Sequence, residues 1–153
     1  MRSRLSDGEH DLWIQMSNPD RRHAVGVAKR VECELGGAAT DPVLAAALLH
    51  DVGKIVSGLR TPARVGATLV WSVLPSSRAA LWLTDERVRP RRLARWRLRL
   101  GQYHLHPQLG EGVLEAAGAD PLTSGWAGDH HRTIDEWRVD QRIGRVLKAC
   151  DDD

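Results

Sequence analysis

Apolar residues recur along this chain at spacings of three and four, and Asx-Pro pairs punctuate them, a pattern that predicts a succession of helices. Leu5, Leu12, Trp13 and Met16 fit one face of a first helix over residues 5 to 16. Asn18-Pro19-Asp20 predicts the start of a second, with Asn18 as N-cap and Pro19 at the first helical position. Its buried face runs through Ala24, Val27, Ala28, Val31 and Leu35 to the stop at Gly36-Gly37. Asp41-Pro42 opens a third helix, on which Leu44, Leu48, Val52, Ile55 and Leu59 share a face that Ala45, Leu49 and Val56 widen. A helix apolar most of the way round belongs at the centre of a fold.

From 60 to 104 the pattern is less regular. Thr61-Pro62 predicts a short helix with Val65, Leu69, Val70 and Val73, and Ser76 or Ser77 caps another carrying Ala80, Leu81 and Trp82. Leu93, Trp96 and Leu100 then form a narrow apolar stripe among arginines. Pro107 starts a helix with Leu109, Val113, Leu114 and Ala117 as core positions. Asp120-Pro121 starts the next, where Leu122, Trp126 and His130 recur every fourth residue beside Ala127 and His131. Ile143, Val146, Leu147 and Cys150 mark the buried face of a last helix beginning near Asp135 or Asp140. The expected fold is all-α: a compact single-domain bundle of about six to eight helices spanning residues 1 to 153, with 60 to 104 as an Arg-rich insertion.

Composition narrows the class. A hydrophobic share of 42% with 27% charged residues excludes general disorder, and 153 residues suit one domain. The net charge of +2 hides an asymmetry: residues 60 to 104 carry ten Arg against Asp85 and Glu86, a local +8, which leaves the remainder at −6. The arginines from residue 87 to 99 read first as a solvated helix face. The sharper reading is a basic rim that steers anions, with nucleic acid as a less favoured partner. Cys33 and Cys150 have neither metal-type nor disulfide-framework spacing, which suits a reducing cytoplasm. Residues 1 to 7 lack the apolar core of a secretion signal, and the uncharged stretch 65 to 77 falls short of the roughly 20 residues a membrane span needs, so no span is expected.

The chemistry gathers at His50-Asp51, an imidazole and a carboxylate side by side on the most apolar helix. Burying both without a partner is costly, and a metal ion supplies one. Other polar residues fall on core-facing positions: His23 four residues before Val27, His106 at the mouth of a helix, His130 and His131 on apolar rows, and Asp151 four residues after Leu147. Five imidazoles in a set of seven suit Fe, Mn, Zn or Ni better than an all-oxygen Mg or Ca site. Seven ligands exceed the needs of one ion. Two divalent transition-metal ions would use all of them if Asp51 bridges: His23, His50, Asp51 and Asp151 on one, Asp51, His106, His130 and His131 on the other.

In order along the chain, His23, His50-Asp51 followed by Gly53-Lys54, His106, His130-His131 and Asp151 resemble the HD-domain superfamily of metal-dependent phosphohydrolases, over residues 18 to 152. The extra His106 and His130-His131 resemble its binuclear members, including the HD-GYP cyclic-dinucleotide phosphodiesterases. Arg132-Thr133-Ile134-Asp135 departs from the Glu that follows in that group, and Gly-Tyr-Pro is absent. The resemblance implies hydrolysis of a phosphomonoester or phosphodiester in a small anionic substrate, by water activated between two cations. Asp51 and Lys54 would be catalytic, and Lys54 and Arg132 would hold phosphate oxygens. Two other activities are consistent with the same set: a di-iron oxygenase of the HD type, and a metal-containing binding or regulatory module without turnover.

Overall fold

The computed structural model describes residues 4–59 and 94–152, and these residues are helical, with no strand among them. The short helices predicted at 65–73 and 80–82, the core position Leu93 and the arginines from 87 to 92 lie outside the described residues.

Local chemistry accounts for where each helix starts. Helix α1 (Asp7–Gln15) opens with a reciprocal cap: the Ser6 hydroxyl accepts from Glu9 N at 3.3 Å, and Glu9 Oε2 accepts from Ser6 N at 2.8 Å. That bond explains how a glutamate can be buried there. Helix α2 (Asn18–Leu35) starts one residue earlier than predicted. Its N-cap is Ser17, not Asn18, because the Ser17 hydroxyl both accepts from Asp20 N and donates to Asp20 Oδ2 at 2.7 Å. Helix α3 (Asp41–Leu49) has Thr40 at its N-cap position without a side-chain capping bond and Pro42 in its first turn, and every residue from Val43 to Leu49 is buried.

The central helix was expected to continue to Leu59, and here the structure corrects the sequence. Helix α3 ends at Leu49, residues 50–53 form a tight turn, and a single-turn helix α4 (Lys54–Ser57) follows. The periodicity is genuine, since Val52 and Leu59 are buried, but it is carried across a break. The cause is visible: His50 Nδ1 takes the Ala47 carbonyl, which the Asp51 N–H would take in a continuing helix.

After the undescribed stretch come α5 (Ala94–His104), α6 (His106–Ala116), α7 (Pro121–Asp129) and α8 (Gln141–Asp152). Asp120 caps α7 as predicted, accepting from Leu122 N at 2.8 Å. Helix α3 lies between α2 and α7, with α8 packed on α2 and α6 on α7. Its Ala45, Leu48 and Leu49 meet Trp13, Met16, Ala24 and Leu114, while Leu44, Ala46 and Ala47 meet Val27, Val31, Trp126 and Leu147. Short alanine side chains let neighbouring helices approach α3 closely, so their ends can meet. Within the apolar stripe of α5, Leu100 is 6% exposed but Trp96 is 49% exposed. Helix α5 packs on α4, and one turn of helix is too short to cover two turns of its neighbour. No helix among the described residues is long and apolar enough to cross a membrane.

Candidate metal centre

Three helix ends meet at one point, and each delivers a histidine aimed in the same way. His50 follows α3, His106 lies two residues beyond α5, and His130 follows α7. In each, Nδ1 sits against the carbonyl oxygen three residues back: Ala47 at 2.9 Å, Tyr103 at 2.8 Å and Ala127 at 2.8 Å. A carbonyl only accepts, so Nδ1 carries the proton and donates it. Carbonyls at helix C-termini are short of partners, which is why this bond forms there. The opposite nitrogen, Nε2, then points away from the backbone into the space between the helices.

The carboxylate of Asp51 occupies that space. Its Oδ1 lies 3.2 Å from His106 Nε2 and 3.8 Å from His130 Nε2, and its Oδ2 lies 3.6 Å from His50 Nε2 and accepts from Lys54 Nζ. Neither His106 Nε2 nor His130 Nε2 makes a hydrogen bond, although both are buried. The 3.2 Å approach of His106 is within range but off the hydrogen-bonding direction. His131 completes one side, its ring 5.2 Å from that of His106 and 4.1 Å from that of His130. On the other side Asp151 Oδ1 lies 3.2 Å from His50 Nε2 and 2.9 Å from His23 Nε2. Ligand-type atoms of His106, His130 and His131 lie within 4.8 Å of one another, and so do those of His23, His50 and Asp51. All seven residues named from the sequence are therefore brought together, with Asp51 between two groups. His23 and His131 are exposed, so the two ends of the cluster face solvent.

Burial and neighbouring charges move several of these groups away from their ordinary pKa values. Burial alone would raise the pKa of Asp51, but His106 and the charges on His50 and Lys54 outweigh it and hold the carboxyl well below the usual range. Burial likewise pushes His130 well down, reinforced by His131 and His50, and it lowers His131 to about 4, with the neighbouring His106 adding to the effect. Both imidazoles are neutral at physiological pH. His50 behaves oppositely: burial lowers it, but its bond to Asp151 and the charges of Asp51 and Asp151 win, and its pKa rises above 6.5. A cation binding at His50 would meet stronger competition from protons than one binding at His130 and His131.

This asymmetry gives a pH dependence with a definite sign. Because the pKa of His50 is raised, protons compete at that nitrogen at higher pH than at an ordinary imidazole, so affinity on the His23-His50-Asp151 side should rise with pH. Titration of the protein with Co(II) in two buffers of different ionisation enthalpy is expected to show proton release that grows as the pH is lowered. Uptake without proton release would contradict the assignment of His50.

Arg132 pairs with Asp129 at 3.3 Å and is half-exposed beside His131. His10 is half-buried on α1, and His104 is half-buried before His106; burial and the His106 charge lower its pKa. Four contributors have no signature in the helical pattern. Lys148, one turn before Asp151, lies close enough for its charge to depress His131. Its three-residue spacing from Asp151 mirrors that of Lys54 from Asp51, which is the signal that could have found it. Asp129, Arg138 and Arg30 hold the helix ends. No family model matches this chain, and neither does any curated protein or solved structure.

Proposed function

We propose that the cluster is a binuclear metal centre and that the protein is a metal-dependent hydrolase of phosphate esters, as its likeness to HD domains implies. The observation that carries the reading is the pair of buried Nε2 atoms on His106 and His130, which have no hydrogen bond and face the Asp51 carboxylate. Lone pairs facing lone pairs in a buried site repel, and a cation between them converts that repulsion into ligation. His106, His130 and His131 would hold one ion, His23, His50 and Asp151 the other, and Asp51 would reach both. Mixed nitrogen and oxygen donors suit Fe, Mn, Zn or Ni. When bound, such ions supply the acidity that makes water a nucleophile near neutral pH and the positive charge that phosphate oxygens need as the bond breaks.

The chain's own residues do the rest. Lys54 Nζ donates to Asp51 Oδ2. With Asp51 shared among cations, the Lys54 ammonium would be the chain's own donor for a phosphate oxygen. The open rim at His23 and His131 admits the substrate, and the lysines at 54 and 148 and Arg132 make that rim attractive to anions.

Protein purified without chelator is expected to carry about two equivalents of transition metal and to hydrolyse p-nitrophenyl phosphate or its bis-ester in the presence of manganese. A stable apo protein that takes up no metal would end the proposal. Metal with no turnover across a phosphoester panel would leave a binding module, and oxygen-dependent chemistry with a ferrous-ferric spectrum would make it an oxygenase. Lys54→Gln should raise KM for the ester about 10- to 100-fold, the scale of a lost charge-assisted hydrogen bond, with metal content kept. An unchanged KM would remove Lys54 from the substrate site.

A further inference from the structure

We propose that Arg30 and Arg138 are positioning residues for the two halves of this centre, one for each, so that either metal position can be emptied without the other. The inference rests on the binuclear reading above.

Arg30, on α2, donates from Nε and Nη2 to the Cys150 carbonyl at 3.0 and 2.6 Å. Cys150 is in the last turn of α8, where carbonyls run out of N–H partners within the helix and the chain frays unless it is held. The next residue is Asp151. Helix α2 also carries His23, so one guanidinium fixes the Asp151 backbone to the helix of its fellow ligand, giving the 2.9 Å approach of His23 Nε2 to Asp151 Oδ1.

Arg138 does the equivalent on the other side. Its Nε and Nη2 donate to Asp129 Oδ1 at 3.0 and 2.8 Å, its backbone N donates to Asp129 Oδ2 at 2.7 Å, and its Nη1 bonds Glu111. Asp129 is 0% exposed and directly precedes His130, and Glu111 lies five residues after His106 on α6. One side chain thus ties the helix that begins with His106 to the helix that ends before His130, and it draws the segment after His131 back onto both. His131 has no backbone anchor of the kind that holds His50, His106 and His130, so its place depends on this closure. Gly128 keeps the crossing clear, since a Cβ there would overlap the Glu111 carboxylate and lie 2.7 Å from Arg138 Nη2.

Neither arginine is among the seven clustered residues, and their bonds lie on opposite sides of Asp51. General destabilisation would weaken both ions together, whereas two separate clasps predict a reciprocal pattern. The test is Co(II) titration of the full chain, with bound metal counted by elemental analysis, in Arg30→Gln and Arg138→Gln. Each variant should bind one ion with wild-type affinity and the other about 10- to 100-fold more weakly, the range reported by partners that orient ligands. Adding His131→Ala should abolish the remaining ion in the Arg30→Gln background and leave the single ion untouched in the Arg138→Gln background. Adding His23→Ala should do the reverse. If a Gln variant unfolds, Arg30→Lys and Arg138→Lys, which keep a cation and one donor, are read in its place for the same pattern at smaller amplitude. Wild-type affinity for both ions in either variant, or equal weakening of both ions in each, overturns the inference. Failure of the wild-type chain to bind two ions overturns the binuclear reading itself, a different result.

Discussion

Replacing Asp51 by Asn should strip both ions from the protein at once and reduce turnover to background. The substitution preserves size and shape, so the helices keep their packing, but an amide offers one neutral oxygen where a carboxylate offers two that share a negative charge. In the structure those two oxygens serve different sides, Oδ1 toward His106 and His130 and Oδ2 toward His50 and Lys54. Loss of the charge also removes the partner of the Lys54 ammonium, leaving an uncompensated positive charge beside the site that opposes a dication further. The expected loss of affinity exceeds about 100-fold for each ion, since partners that merely orient ligands reach that scale. Elemental analysis after gel filtration reads it directly. Retention of two equivalents, or of activity, would show that Asp51 is not the shared corner. Loss of one ion alone would confine it to one side.

Gly53→Ala is expected to be nearly as damaging without touching a ligand. A Cβ built on Gly53 overlaps the His106 carbonyl oxygen and lies 2.5 Å from Gly110 N and 2.9 Å from Gly110 Cα. All three are backbone atoms, so no side-chain rotation relieves the clash, and α6 must move away from the turn after Asp51. That movement separates His106 from Asp51, now 3.2 Å apart. Overpacking of this kind costs about 3 kcal/mol or more. Urea unfolding should show the loss of stability, and metal titration should show weakened binding on the His106 side. Gly112→Ala on the same helix is the control: nothing lies within 4 Å of its added Cβ. It should be stabilising by about 0.5–1 kcal/mol, because alanine is the better helix former. Equal behaviour of the two variants would mean that the close approach at Gly53 does not matter.

Much of this arrangement was legible in the sequence because burial and helical period leave the same trace. Leu48, Val52, Trp126, Leu147 and Cys150 were placed in the core from spacing alone, and they are there. The seven polar residues on those faces were named for the same reason, and the structure brings them to one place. Spacing does not record where hydrogen bonds go. The end of α3 at Leu49 was missed because the apolar repeat runs straight through it, while the cause, an imidazole taking a carbonyl, leaves no mark on periodicity. Ser17 was passed over as N-cap because Asn18-Pro19 is the stronger local pattern, and only the bond to Asp20 decides between them. Trp96 and Leu100 share one apolar stripe in the sequence, yet only Leu100 is buried, since the helix opposite is one turn long. Arg30, Arg138 and Asp129 were invisible for a related reason: they act across 120 and nine residues of chain, through bonds that no local pattern encodes.

The anchoring of His50, His106 and His130 to their own backbone bears on how fast an ion can come and go. In the proposed centre these three rings are already oriented, so capture would require no ring flip at these positions, and the rate would be set by shedding water from the ion and by access through the rim. His23 and His131, exposed and without that anchor, are the rings able to swing. Each side of the cluster therefore has one hinged outer ligand, and metal exchange should proceed by release of that ligand first, so that His23→Ala and His131→Ala shorten the residence time of an ion more than they slow its arrival.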